Sequence, residues 1–228
     1  MAERKRVLVC ANPDLNMIDG SSIWSQTIAL AMAATGEADV DFLARSTPAR
    51  EELYGPLRAN DNLHIIDGSD RGHWQGKGFA RITPAMMADL ATQLHRTRPY
   101  DVIIVRGQEI ATQLLDAPDA LARSWVYLTD IPQRVADYTP DQRQLMQRIA
   151  HGCQFLLCQT GGFKELWQSL VPGLDGTKIR LYTPVIPDLS ENLAPMDQRP
   201  PRAIYAGKFK TAWMTLEMAE VWPAIHRE

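Results

Sequence analysis

The sequence predicts an α/β fold, a doubly wound and mainly parallel sheet with helices on both faces. Short apolar segments, most of them free of charge, recur along the chain, and most are separated by a stretch with helical periodicity. Strands of a parallel sheet are buried on both faces, so they read as continuous apolar runs and not as alternating ones. The composition agrees: 228 residues at 45% hydrophobic and 22% charged can bury a sizeable core without disulfides or a structural metal.

The first strand is Arg6-Val7-Leu8-Val9-Cys10-Ala11, bounded by Asn12-Pro13-Asp14. After a loop to Gly20, Ser21 or Ser22 caps a helix that runs to about Thr35 and ends at Gly36. Ile23, Thr27, Ile28, Ala31 and Ala34 recur at helical spacing and supply its inner face. Asp39 to Ala44 is a second strand and Leu63 to Ile66 a third. Thr83-Pro84 opens the next helix, Thr as cap and Pro in the first turn, with Met86, Met87, Leu90, Ala91 and Leu94 as its apolar face. Asp101 to Val105 and Trp125 to Leu128 are strands, with a helical segment from Glu109 to Leu115 between them. Asp141 to Ala150 and Phe163 to Leu170 are helices around a strand at Phe155 to Cys158, and Lys178 to Tyr182 is the last strand. A six- or seven-stranded sheet over residues 6–187 is expected.

Composition changes after Pro187. Residues 188–200 carry prolines and no apolar periodicity, the pattern of a linker. Arg202 to Gly207 then reads as a strand and Trp213 to Ile225 as a helix, so 201–228 is expected to be the first strand-helix unit of a truncated second domain.

A net charge of −3 argues against a dedicated nucleic-acid binder, which carries a basic field. The charged N-terminus and the short apolar run after it do not make a signal peptide. The three cysteines, on apolar segments, read as reduced, packed thiols of a cytoplasmic protein. The five histidines are scattered and no CxxC or HExxH spacing exists, so no metal is expected.

In a doubly wound sheet, ligands bind at the carboxyl ends of the strands, so the residues just after each strand are the candidates. The first such loop lacks the G-x-G-x-x-G fingerprint, which disfavours a nicotinamide or flavin enzyme. It leaves Gly20-Ser21-Ser22 at a helix N-terminus, where an anion is favoured and where a plain cap is the other use. The glycine-rich stretch from Asp67 to Phe79 is not a phosphate loop. Three residues separate Gly72 from Gly76 where such a loop has four, and Gly78 stands where it needs Ser or Thr. A substrate-facing loop and a bare surface loop both fit it. Arg106 offers charge to a ligand, or is an exposed arginine or a partner of a nearby helix. Asp130, after Thr129, is a proton acceptor or hydroxyl ligand, or a cap before Ile131-Pro132. Trp167, Trp213 and Trp222 sit in helical patterns and read as core.

Four stretches together resemble the retaining nucleotide-sugar glycosyltransferases of family 4, which have the GT-B fold. The strand Val7 to Cys10 with Asp19-Gly20-Ser21-Ser22 is similar to the family's first strand and Gly-Gly loop. Tyr100 to Val105 is similar to its D-V-V-H strand. Cys153 to Leu166 followed by Lys178-Ile179-Arg180-Leu181-Tyr182-Thr183-Pro184-Val185-Ile186-Pro187 is similar to its I-V-S/Q-(S/T) to E-L stretch followed by K-I-x-V-I-P-N-G-V-D. Ile204-Tyr205-Ala206-Gly207-Lys208 is similar to I-L-Y-V-G-R, which opens the family's second domain.

The resemblance implies a Rossmann-like acceptor domain over 1–187, a linker over 188–200 and the start of a donor domain over 201–228. It implies a hexosyltransferase, active when full length and inactive as this fragment, that moves a sugar from a nucleotide-sugar to a polysaccharide or glycolipid acceptor. It further implies no metal or other cofactor, no nucleic-acid partner, and a cytoplasmic protein with peripheral membrane contact. By position, Gly20, Ser21 and Ser22 lie near the donor phosphates, and Lys208, where the family has arginine, and Lys210 face the diphosphate. Asp130 completes the catalytic candidates, with Arg106, Thr129 and Thr160 as substrate contacts. Thr129-Asp130 stands where the family often has His-Asp, and Asp-Gly-Ser where it has Gly-Gly. A sugar-nucleotide epimerase or hydrolase of the same shape, and a binding module without chemistry, are the competing readings.

Overall fold

The computed structural model describes residues 3–129 and 131–182, with 195, 198, 217 and 219–221 beyond them. The chain divides into two units, Met1–Pro187 and Asp188–Glu228.

The elements of the first unit alternate: β1 (Lys5–Ala11), α1 (Gly20–Ala34), β2 (Ala38–Ala44), α2 (Glu51–Arg58), β3 (Leu63–Asp67), α3 (Pro84–Thr97), β4 (Val102–Arg106), α4 (Gln108–Gln113), α5 (Pro118–Leu121), β5 (Ser124–Tyr127), α6 (Pro140–Gly152), β6 (Phe155–Cys158), α7 (Gly161–Leu170) and β7 (Ile179–Leu181). The seven strands form one sheet in the order β3-β2-β1-β4-β5-β6-β7, and every pairing is parallel. The order reverses between β1 and β4, where Cys10 pairs with Val105 and Ala11 with Arg106.

Both faces are buried, which is why the strands read as unbroken apolar runs. Leu8, Cys10, Ile103, Val105, Val126 and Leu156 face the layer that includes α3, α6 and α7. Val7, Val9, Val40, Phe42 and Ile104 face α1 and α2. Trp167 on α7 is 1% exposed, core as its pattern predicts. Trp213 and Trp222 lie outside the described residues.

Helix starts follow the cap chemistry at α3 and α6. Thr83 accepts the Met86 N–H with Pro84 in the first turn, and Thr139 and Gln142 form a reciprocal capping box.

At α1 the structure corrects the sequence expectation twice. The cap is Asp19, not Ser21 or Ser22: its carboxylate accepts the N–H groups of both serines at 2.9 and 2.8 Å. The buried face is also turned. Trp24, Ile28, Ala29 and Ala33 face inward, while Ile23 is 40% exposed and Ala34 is exposed. A helix this rich in small and apolar residues has no polar stripe to set its phase. Ser25 and Thr27 return their hydroxyls to the Ser21 and Ile23 carbonyls and so pack as if apolar.

Helix α2 has no counterpart among the elements expected from sequence. Gly55-Pro56 sits inside it, and a proline removes a backbone donor. The donor it removes would serve the Glu52 carbonyl, and the Gln26 amide of α1 lies 3.5 Å from that carbonyl while donating to the Leu53 carbonyl at 2.8 Å. Burial of Leu53, Tyr54 and Leu57 holds the turn in place.

Candidate functional site at the sheet's switch point

The reversal between β1 and β4 leaves a crevice at the carboxyl ends of the strands, the place where open α/β sheets bind ligands. A cavity of about 480 Å³ opens there, lined by Asn12, Asp19, Ser21, Arg106, Gln108, Glu109 and Thr129, with Leu128 and Ile131 as its apolar part. A second recess of about 510 Å³ lies beside the ends of β2 and β3, lined by Thr47, Ser69, Arg71 and Phe79 among others. It is more open and lies away from the reversal.

Arg106 is the last residue of β4 and only 9% exposed. This corrects the expectation of an exposed arginine. Its guanidinium donates to the Ser21 hydroxyl at 2.8 Å and to the Thr129 hydroxyl at 3.4 Å. It also lies 5.5 Å from the Trp24 ring and 5.9 Å from the Tyr127 ring, both within cation–π reach. Those rings stack on each other at 4.7 Å, and Tyr182 meets Trp24 edge-on. Residues from α1, β5 and the end of β5 thus converge on the cation that ends β4, and Tyr182, after β7, packs on the Trp24 side of the group.

The wall opposite is built by backbone. The Asn12 N–H donates to the Arg106 carbonyl at 2.9 Å, which joins the loop after β1 to the end of β4. Gly107 follows at φ 122°, and a Cβ there would come within 3.0 Å of the Asn12 Cβ, so only glycine fits the turn into α4. Arg45, just after β2, holds Asn12 from the other side, donating to its carbonyl and its side-chain oxygen at 2.7 and 2.8 Å. The same guanidinium grips the Ile82 carbonyl twice. Burial, with Arg81 nearby, lowers the Arg45 pKa. Asp14 accepts from Ser46, and Asn16 bonds to Ser46, Thr47, Ala49 and Arg50, so the loop carrying Asn12 is locked to the loop after β2.

Of the candidates from sequence, the structure joins Ser21, Arg106 and Thr129 in one hydrogen-bonded group. Gly20 begins α1 beside them. Ser22 is 1% exposed and turns inward, donating to the Asp14 carbonyl, so it does not face the cavity. Thr160 caps α7 by accepting the Phe163 N–H, away from this group. Asp130, Lys208 and Lys210 lie outside the described residues. The anion expected at the start of α1 meets a competitor, because Asp19 already takes the Ser21 and Ser22 N–H groups. Sequence reasoning misses Asn12, Asp19, Gln108, Glu109 and Arg45. Asp19 carries a signal, an Asp directly before Gly-Ser-Ser, the position of a preferred cap.

Asp19→Ala is therefore expected to cost about 0.5–2 kcal/mol, the usual range for a lost N-cap. Urea denaturation checks this, and an unchanged midpoint would return the cap to one of the serines.

No protein-family model matches the sequence, and no curated protein matches it. Among solved structures, a UDP-GlcNAc 2-epimerase from Methanocaldococcus jannaschii is 13% identical, with 77% of this chain and 44% of that one covered and a TM-score of 0.44. UGT2 of Phytolacca americana, solved with UDP-2fluoro-glucose and pterostilbene, is 13% identical over 82% of this chain and 56% of its own, with a TM-score of 0.49. The lipopolysaccharide outer core galactosyltransferase WaaB is 10% identical over 77% and 44%, with a TM-score of 0.44. The chain spans about half the length of these structures.

Proposed function

We propose that this chain is the acceptor-side domain of a glycosyltransferase that moves a sugar from a nucleotide-sugar to a carbohydrate or glycolipid acceptor. The observation that carries the reading is the cavity at the β1–β4 reversal. Its lining mixes donors and acceptors: Asn12 and Gln108 amides, Ser21 and Thr129 hydroxyls, Asp19 and Glu109 carboxylates, and the buried Arg106. A polyhydroxyl ligand needs such a mixture, because each sugar hydroxyl both donates and accepts. A dinucleotide needs a glycine-rich turn that the β1–α1 loop lacks. The order of motifs shared with the retaining family 4 enzymes supports the same reading, and in that setting Lys208 and Lys210 stabilise the leaving diphosphate.

Saturation-transfer NMR of the 228-residue chain against oligosaccharides, sugar nucleotides and dinucleotides tests it. Oligosaccharide signals that vanish on adding a Thr129→Val, Ser21→Ala change support the assignment. Micromolar binding of a dinucleotide with no oligosaccharide signal overturns it. Incubation with UDP-, GDP- and dTDP-sugars separates the chemistries: an epimerised or hydrolysed donor with no acceptor present points to the epimerase or hydrolase class.

A further inference from the structure

We infer that the recess at the ends of β2 and β3 is a second carbohydrate subsite, which seats one pyranose ring of an oligosaccharide on Phe79. The inference rests on the reading of the switch-point cavity as a carbohydrate site and adds a length requirement to it. The recess, about 510 Å³, is of the size of a small-molecule site, and three kinds of group meet in it.

The first is an aromatic face. Phe79 lines the recess and is 37% exposed, and Trp74 packs edge-on against it at 5.8 Å. Trp74 is itself fixed, because its indole N–H donates to the Gly68 carbonyl at 2.7 Å. A ring braced in this way loses little freedom when a ligand covers it, and the C–H face of a pyranose is an apolar surface that suits it.

The second is a pair of carboxylates. Through Oδ1, Asp67 accepts the Ser69 N–H at 2.9 Å and the Ser69 hydroxyl at 2.6 Å, and Asp70 accepts the Gly72 N–H at 2.6 Å. The third is a set of donors, Arg71 with the Thr47 and Ser69 hydroxyls, which meet at 3.2 Å. Neither carboxylate pairs with Arg71 or with another cation among the described residues, so acceptors and donors both stay open to a ligand. Lys77 and Arg81 lie on the same loop but outside the lining, where a phosphate would meet two carboxylates against one guanidinium. A wholly apolar ligand would strand the polar groups. A sugar ring offers an apolar face and hydroxyls that both donate and accept, and so matches the whole lining.

The spacing to the switch-point cavity is fixed. One site lies at the ends of β2 and β3 and the other at the ends of β1 and β4, two strand spacings or about 10 Å apart across the sheet. Asn16 ties the loop after β1 to the loop after β2, and Thr47 and Ser69 tie that loop to the one after β3. A single sugar fills one site, and a chain of several reaches both.

The indole N–H resonances of Trp74 and Trp24, assigned with Trp74→Phe and Trp24→Phe, report the two sites separately, because Trp74 touches Phe79 and Trp24 stands beside Arg106. The isotope-labelled chain is titrated with chito-, malto- and laminari-oligosaccharides, each as monosaccharide and as tetrasaccharide. The tetrasaccharide of at least one series should move both resonances along one binding curve, and bind more tightly than its monosaccharide. Phe79→Ala should weaken the tetrasaccharide about five- to tenfold and leave the monosaccharide's effect on Trp24 unchanged, while Phe79→Tyr should keep the affinity. Asp70→Asn should cost the tetrasaccharide about tenfold. Glycans that move Trp24 but never Trp74, or a tetrasaccharide affinity unchanged in Phe79→Ala, overturn the subsite and leave the switch-point reading intact. Glycans that move Trp74 but never Trp24 support the recess and overturn the switch-point reading. Movement of neither resonance overturns both, and movement of Trp74 by uridine or inorganic phosphate but by no glycan overturns the subsite.

Discussion

Arg106→Met is expected to weaken ligand binding at the switch-point cavity by about 10- to 150-fold. That range corresponds to about 1.5–3 kcal/mol, the net worth of a hydrogen bond to a charged group. Methionine keeps most of the apolar stem against Trp24 and Tyr127 but removes the charge and the donors that reach Ser21 and Thr129. Because Arg106 is 9% exposed, the charge works in a medium less screened than water. Arg106→Lys separates charge from shape: a lysine keeps the charge but not the planar guanidinium that faces the Trp24 and Tyr127 rings and places Nη2 between the two hydroxyls. An intermediate loss is expected for it. The measurement is calorimetric titration of the oligosaccharide that gives the strongest NMR signal, at a temperature where circular dichroism shows all three proteins folded. Wild-type affinity in Arg106→Met would move the binding site away from the β1–β4 reversal.

Much of this architecture is legible because burial on two faces writes itself into the sequence. Val7 to Cys10 and Val102 to Val105 alternate between two cores, so each residue must be apolar whichever way it points. What does not show is set by tertiary partners. Helix α2 survives Gly55-Pro56 because Gln26, from another helix, reaches the Glu52 carbonyl that Pro56 leaves as well as the Leu53 carbonyl, and because Tyr54 and Leu57 are fully buried. The phase of α1 is hidden because Ser25 and Thr27 satisfy their hydroxyls within the helix.

At the site, strand-end logic finds Ser21, Arg106 and Thr129, since any doubly wound sheet places such residues together. It cannot show that Arg106 is buried. The Trp24 and Tyr127 rings that enclose it stand on other elements, and no local pattern joins the three. Nor can it find Arg45, whose role is to hold Asn12 across a loop.

The chain is also expected to lose stability steeply above about pH 9, and the cause is three buried thiols. Cys10, Cys153 and Cys158 are unpaired and at most 2% exposed. Burial pushes the Cys10 thiol up to about 12, against a small opposing pull from Arg45, and the Cys153 thiol to about 12, against Lys178. Cys158 is raised to about 11, with Lys164 opposing. In the unfolded chain these thiols ionise at a pH of about 8.5. The folded values are raised, so the contribution is fully present below the unfolded pKa and is lost as pH climbs through the folded ones.

Between about pH 9 and 11 the unfolded state therefore holds about three fewer protons than the folded state. Each is worth about 1.4 kcal/mol per pH unit, a combined fall of about 4 kcal/mol per unit. Buried Tyr138, pushed up to about 12, and Tyr54 and Tyr100, also raised by burial, add to the fall near the top of that range. Against a typical domain stability of about 5–15 kcal/mol, two to three pH units suffice to unfold the chain. Urea denaturation under reducing conditions, repeated from pH 7 to pH 11, measures the slope. The triple variant Cys10→Ala, Cys153→Ala, Cys158→Ala starts from a lower stability, because packed atoms are lost, yet its pH profile should be much flatter up to about pH 10, near the ordinary tyrosine pKa. A wild-type profile that stays level to pH 10.5, or a triple variant with the wild-type slope, would show that the thiols are not the groups that titrate.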